Sequence, residues 1–395
     1  MKLKILFFVF LLVCSSCALD KKDIINSNFA DIQLKHAFVE MDSVYKSTDK
    51  LLANPRNIDP NGFLRMMASH DWTSGFFPGE LWYMYEYTKE DFWKEKARKQ
   101  TELLEQEKWN GGTHDMGFKM YCSYGNGYRL TQDSGYKDIL LQSAYTLIRR
   151  YNPKVGCIRS WDHNRDKWQY PVIIDNMMNL ELLFWAFRTN GDSTFYQIAV
   201  DHARTTMKNH FRKDYSSYHV IDYDTLTGAV LHKNTHQGYS DASAWSRGQA
   251  WGLYGYTMCY RETGLPEFLE RAKQIASYIF SNPTLPDDLI PYWDYNAPGI
   301  PDEPRDVSAA TVTASALYEL SMYDETNRTG YVDRADRILE NLTNRYRASV
   351  GKDCGFLLLH STGSKTHGSE VDVPIVYALS LIHISEPTRL QLISY

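Results

Sequence analysis

A polar turn followed by an aromatic residue that opens an amphipathic helix recurs along this chain, and recurrence of that kind leaves few folds open. Asp91-Phe92, Gly135-Tyr136, Gly191-Asp192 before Phe195, Gly264 before Phe268, and Gly330-Tyr331 each begin such a segment. After Gly264, the residues Leu265, Phe268, Leu269, Ala272, Ile275, Ala276 and Ile279 fall at helical spacing. Pro266 stands in the first turn, where its missing N–H costs nothing. Phe195, Ile198, Ala199, Ala203 and Met207 repeat the pattern, and Ala30, Leu34, Ala37, Phe38, Met41, Val44 and Tyr45 supply a sixth member. Between these one-faced helices lie stretches that are apolar nearly all round, such as 180–187 and 253–260, as expected of helices covered on both sides. Each is preceded by a long loop rich in Gly, Asp, His and Trp, near Asp71, Asp115, Asp175, Asp241, Asp306 and Glu370, at intervals of roughly 45 to 65 residues. Six inner and six outer helices close a ring. The expectation is an all-α chain folded as one (α/α)6 barrel, a six-hairpin toroid over residues 27–378, with all six loops at one end and facing one cavity.

The 395 residues carry 43 Lys and Arg against 48 Asp and Glu, a formal charge of −5, so nothing global attracts nucleic acid or an acidic membrane. An anionic ligand must then be held by a local cluster of Arg, Lys and His. The 10 Trp and 28 Tyr suit the flat faces of sugar rings, although a helical core also uses them. Lys2 and Lys4 precede the apolar run 5–13, the order of an export signal and too short to span a bilayer. The chain is therefore expected to leave the cytoplasm, for the periplasm or cell surface, with 1–17 as signal peptide. Ser15-Ser16-Cys17 is also the setting of a lipid-modified cysteine, with Cys14 where Leu is usual, so membrane attachment through a lipidated Cys17 is a second expectation. Cys122, Cys157, Cys259 and Cys354 lack metal-ligand spacing and read as scattered buried thiols. From Leu379 the sequence resembles translated adapter or frame-shifted residues, and 379–395 reads as a non-native tail.

An Asp where a loop enters a helix ordinarily caps free N–H groups and favours the positive end of the helix dipole. Two of the six acidic residues fit that reading less well. Asp115 sits in Gly-Gly-Thr-His-Asp-Met-Gly-Phe, where glycines allow close ligand approach. Asp175 follows Val172-Ile173-Ile174, an apolar run that strips water from a carboxyl and favours its proton-donating form. Two carboxyls across a sugar-sized cavity suit glycosidic cleavage. The segment 236–251 adds Gln237, Arg247 and Trp251; Arg247 can meet a substrate carboxylate or a structural aspartate, and Trp72 and Trp251 can stack on sugars or fill the core. There is no phosphate loop, no Gly-x-Ser-x-Gly elbow, no His-Glu-x-x-His and no metal cluster, so neither cofactor nor metal is expected.

At these residues the chain resembles glycoside hydrolase family 88, the unsaturated glucuronyl hydrolases, over about residues 30–378. The likeness rests on His70-Asp71-Trp72-Thr73 running into Gly75-Phe76-Phe77-Pro78-Gly79, on His114-Asp115-Met116-Gly117-Phe118, on Ile174-Asp175-Asn176-Met177-Met178-Asn179, and on Trp245-Ser246-Arg247-Gly248-Gln249-Ala250-Trp251-Gly252. It implies Asp175 as general acid and base, Asp115 as its partner, and Trp72, His219, Gln237, Arg247 and Trp251 lining the sugar site. It also implies an acidic oligosaccharide substrate ending in a C4=C5 unsaturated uronic acid, opened by hydration of the double bond without a glycosyl-enzyme intermediate. Ser364, Lys365 and Ser369 match the family's loop for sulfated leaving sugars only in part, with Ser364 the candidate contact. The related unsaturated rhamnogalacturonyl hydrolases, a glycan-binding protein that only kept the barrel, and a glucuronidase for saturated uronides are the competing readings.

Overall fold

The computed structural model describes Val39, Asp42 and residues 53–59, 61–349 and 355–378. The export-like segment with Cys17, the outer helix expected around Ala30 to Tyr45 apart from Val39 and Asp42, the thiol of Cys354 and the tail from Leu379 lie outside the described residues.

Among the described residues five helical hairpins follow one another, each an inner helix and an outer helix. The first pairs α1 (Phe76–Thr88) with α2 (Asp91–Glu102). In the second, a π-helical stretch Gly117–Gly125 runs on into α3 (Asn126–Thr131) and turns back as α4 (Ser134–Ile148). In the third, a 3-10 turn Ile174–Asn179 continues as α5 (Leu180–Asn190), paired with α6 (Ser193–Asn209). The last two are α7 (Ser246–Thr263) with α8 (Pro266–Ser281) and α9 (Val307–Tyr323) with α10 (Arg328–Arg345). A sixth inner segment opens at Val376–Ala378 and packs on α1 and α9, so the ring of an (α/α)6 barrel is continuous from the first inner helix to the last.

The inner and outer helices differ as their sequences require. Every residue from 307 to 321 in α9 is buried, and its Ala, Ser and Thr side chains let neighbouring helices approach closely. α8 buries only Phe268, Ala272, Ile275, Ala276 and Ile279, one stripe, with Pro266 in its first turn. Each such large apolar side chain stabilises the fold by roughly 1.5–3 kcal/mol on burial. Asp133 and Asp192 cap α4 and α6 by accepting from the N–H groups of Gly135 at 2.8 Å and Thr194 at 3.0 Å. Among the described residues Cys122, Cys157 and Cys259 are free thiols, and burial pushes that of Cys122 up to about 12.

The loops before the inner helices hold short strands that no alternating sequence pattern announced. β1 (Asn54–Ile58) and β2 (Leu64–Met67) form a hairpin, as do β3 (Tyr151–Asn152) and β4 (Cys157–Ile158). β5 (Pro171–Ile173), β6 (Val220–Tyr223) and β7 (Val230–Asn234) form an antiparallel sheet. These pieces fix the loops in place at one end of the barrel.

Candidate active site

Of the six loop acids, four are accounted for by structural contacts. Asp71 accepts from the Thr73 N–H at 2.9 Å and from Arg56 at 2.7 Å. Glu370 takes the other side of the same guanidinium, through Nε at 2.7 Å, and also accepts from Asn57 at 2.6 Å. Asp241 accepts from the Thr235 N–H at 2.7 Å, and Asp306 is buried against Arg247. Asp115 and Asp175 are different: neither caps its helix, and each has a histidine rather than Arg or Lys beside it.

Strand register produces the Asp175 pair. Ile173 lies opposite Val220 in the β5–β6 ladder, and the Ile174 N–H donates to the His219 carbonyl at 3.1 Å, so the next side chain, Asp175, meets the His219 ring. The N–H groups of His236 and Gln237 both donate to His219 Nδ1 at 3.1 Å, which leaves the proton of a neutral ring on Nε2. That Nε2 stands 3.5 Å from Asp175 Oδ2, an atom buried without a hydrogen-bond partner.

Asp115 is held more tightly. Its Oδ2 accepts from the Thr113 hydroxyl at 2.5 Å and its Oδ1 faces His114 Nε2 at 3.1 Å. Burial alone would raise this carboxyl, but the adjacent His114 and the Thr113 hydrogen bond bring it below its ordinary value of 3.8. One turn along, Lys119 is buried in an ion pair with Glu107 at 2.8 Å. The two acids are brought to adjoining helix mouths by Gly117: a Cβ there would lie 2.7 Å from the Asn179 Cα, so only glycine permits the close packing. The Asn179 side chain completes the contact by accepting from the Phe118 N–H at 3.1 Å.

The remaining candidates fall into two groups around these acids. Gln237 joins His219 through its N–H and donates through Nε2 to the Gly363 carbonyl at 3.1 Å, which brings the sixth loop and Ser364 alongside. Ser364 Oγ lies 2.7 Å from His367 Nδ1. Arg247 is fully buried: it binds Asp306, donates to the Thr362 carbonyl at 2.7 Å and Ser308 at 3.2 Å, and also reaches Gly363. The structural-aspartate reading of this residue describes its contacts, and it acts by tying the fourth, fifth and sixth loops together. Trp72 and Trp251 both pack on Phe118, at 5.5 and 5.2 Å between ring centroids; Trp251 is buried and Trp72 is partly open. The cations near the site are each paired, Arg56 with Asp71 and Glu370, Lys119 with Glu107, Arg247 with Asp306, and Lys365 with Glu303.

Several neighbours had no signal of their own in the sequence. Thr113 and His114 stand inside the motif that singled out Asp115, and adjacency was the available clue. A rim of Trp161, Trp168, His163, His236 and His367 assembles around His219, with His236 centred 4.5 Å from His367 and 5.4 Å from Trp161. Burial, with His219 and His367 alongside, pushes His236 down to about 3, so that ring offers the rim an aromatic face and a neutral polar edge rather than charge.

An unsaturated glucuronyl hydrolase of Formosa agariphila is 51% identical to this chain over 313 residues, 79% of this chain and 78% of that protein. The chain belongs to glycoside hydrolase family 88. No family model matches it. Among solved structures, an unsaturated glucuronyl hydrolase specific for heparin superposes with a TM-score of 0.88 at 44% identity, covering 92% of this chain and 98% of that one. A variant of the Streptococcus agalactiae unsaturated glucuronyl hydrolase, complexed with dGlcA-GalNAc6S, superposes with a TM-score of 0.78 at 26% identity, over 94% and 96%. These family 88 structures carry the (α/α)6 barrel derived above.

Proposed function

We propose that the chain removes the 4,5-unsaturated uronic acid from the non-reducing end of lyase-generated glycosaminoglycan oligosaccharides. The C4=C5 bond of that sugar is an enol ether. Asp175 gives a proton to C4, positive charge develops at C5 and the ring oxygen, and water adds at C5 after losing its proton to the same carboxylate. The hemiketal so formed opens, and the C1 hemiacetal then expels the leaving sugar. Asp115, held ionised by its donors, faces the developing positive charge, while the His219 Nε2–H orients Asp175 and the uronate.

The observation that carries this reading is the contrast between the two carboxylates: Asp115 has both oxygens engaged, whereas Asp175 keeps a buried oxygen beside a single N–H donor. A pair held in unlike environments is what separate acid and electrostatic roles require. The test follows the ultraviolet absorbance of the C4=C5 bond on heparin, chondroitin and hyaluronan disaccharides with wild type, Asp175→Asn and Asp115→Asn. Loss of the band with wild type alone supports the reading and ranks the substrates; a persistent band with folded wild type sinks it and moves weight to pectin-derived fragments or to glycan binding.

Export, with lipid attachment at Cys17, belongs to the same proposal, because a hydrolase of lyase products works where those products appear. It is supported by the order of Lys2, Lys4, the apolar run 5–13 and Cys17. Mass spectrometry of the N-terminus of membrane-fraction protein, against Cys17→Ala, decides it: an unmodified Cys17 would remove the anchor.

A further inference from the structure

Around Asp115 three buried histidines hydrogen-bond to the backbone of the loop and strand that lead into the third inner helix, at Ile158, Ser160 and Val172. A neutral imidazole has a single N–H, so its tautomer follows from what each ring nitrogen faces. His202, on α6, accepts from the Ile158 N–H on Nδ1 at 3.0 Å, which places its proton on Nε2. Asn176 takes the other polar group of the same residue, donating to the Ile158 carbonyl at 2.9 Å. His210 faces the Val172 carbonyl with Nε2 at 3.1 Å, so that nitrogen carries the proton and Nδ1 is bare. The His114 N–H donates to the Ser160 carbonyl at 3.1 Å, two residues from Ile158, and its ring presents Nε2 to Asp115. Burial, with His210 and His114 as neighbours, drives His202 well below the ordinary imidazole value and keeps it neutral.

Four polar atoms of this set are buried with no hydrogen-bond partner among the protein groups: His202 Nε2, His114 Nδ1, His210 Nδ1 and Asn176 Oδ1. By the contacts above the first is a donor, His210 Nδ1 and Asn176 Oδ1 are acceptors, and His114 Nδ1 is an acceptor when the single proton of that ring sits on Nε2 facing Asp115. Left unmet, such buried groups lose their hydration without compensation, and folded proteins meet sets of this kind with internal water. We propose that His202 is a positioning residue for Asp115: its Nε2–H, through a buried water shared with Asn176, supplies the donor to His114 Nδ1 and so fixes the His114 tautomer whose Nε2–H holds the carboxylate.

Without that donor His114 can move its proton to Nδ1 and turn a lone pair toward Asp115. This inference rests on Asp115 belonging to the active site, so its first test does not use activity. Long-range proton–nitrogen correlation spectra of the 15N-histidine protein are expected to show His114 and His202 both protonated at Nε2 only. A His114 protonated at Nδ1, or at both nitrogens, overturns the proposal, whatever any variant does. In kinetics, His202→Leu is expected to lower kcat about tenfold with KM unchanged. His202→Gln, which keeps an N–H donor and a carbonyl, should recover most of that loss. Unaltered kcat in a His202→Leu protein that melts like wild type, or no recovery with Gln, also overturns it. Full activity in Asp115→Asn would instead remove Asp115 from the site, a separate failure that the spectra distinguish.

Discussion

The Asp115 and Asp175 halves of the site each pair a carboxylate with a histidine, yet they reach that pairing by different routes. Asp115 meets its sequence neighbour His114 and a hydroxyl two residues away, so its surroundings are local and its oxygens are filled. Asp175 meets His219 only because β5 and β6 pair in one register, and its Oδ2 keeps room for another proton partner. A carboxylate surrounded by donors stabilises charge; one with an unfilled oxygen can exchange a proton with substrate. In the proposed reaction the same two tools, a histidine and a carboxylate, serve two roles according to how many donors converge.

The largest effect expected from this contrast is on proton transfer. Asp175→Asn should lower kcat about 10³-fold, within the range for removing a general acid, with KM within a few-fold. Initial rates of C4=C5 absorbance loss measure it, and equal losses in Asp175→Asn and Asp115→Asn would erase the distinction drawn between them. Next, the acids with structural partners should differ from both: Arg247→Met strands the buried Asp306 carboxylate and should cost about 3 kcal/mol of stability, read as a lower midpoint in urea. The two site variants should leave that midpoint nearly in place. Asp115→Asn should reduce kcat about 10²-fold, since charge stabilisation remains in part from neighbouring dipoles. Thr113→Val, which removes one donor from the filled carboxylate, should cost about tenfold, the low end of the worth of one hydrogen bond to a charge.

The smallest effect is on acid stability. Asp115 has a native value below its ordinary 3.8, so below that pH the unfolded chain binds more protons than the native one. Its contribution is fully present above 3.8 and is lost as pH falls through the lower native value. Asp115→Asn should flatten that part of the stability curve, and an unchanged slope would mean the donors do not hold Asp115 ionised.

The outer helices were legible because a single apolar stripe at helical spacing has one reading, as Phe268 to Ile279 shows, and the inner helices because α5 and α7 are apolar all round. The strands were not, since β3 and β4 span two residues each and leave no period to detect. Asp115 and Asp175 stood out through their glycine-rich and apolar settings. What the sequence left open about Arg247 was its partner, because Asp306 lies a full hairpin away and only the ring of loops brings them together. Trp251 likewise carried two readings, and its packing on Phe118 is a matter of neighbours from another hairpin. His202 had no signal at all: it reads as one more residue on the buried stripe of α6.

The β5–β6 pairing also bears on how this barrel can vary. Because ladder hydrogen bonds rather than chain distance bring His219 to Asp175, the turn at Gly191 between α5 and α6 can lengthen or exchange its surface without shifting the pair. The turn at Gly228 is held in place, since a Cβ there would collide with the Lys154 carbonyl oxygen and Asn152 donates to the Thr225 carbonyl at 3.0 Å. A single residue gained or lost inside the ladder would instead turn His219 to the opposite face. Tolerance to insertion should therefore be sharply uneven along this segment, generous at the Gly191 turn and absent within the ladder, so the outer end of the hairpin can vary while Asp175 and His219 stay where they are.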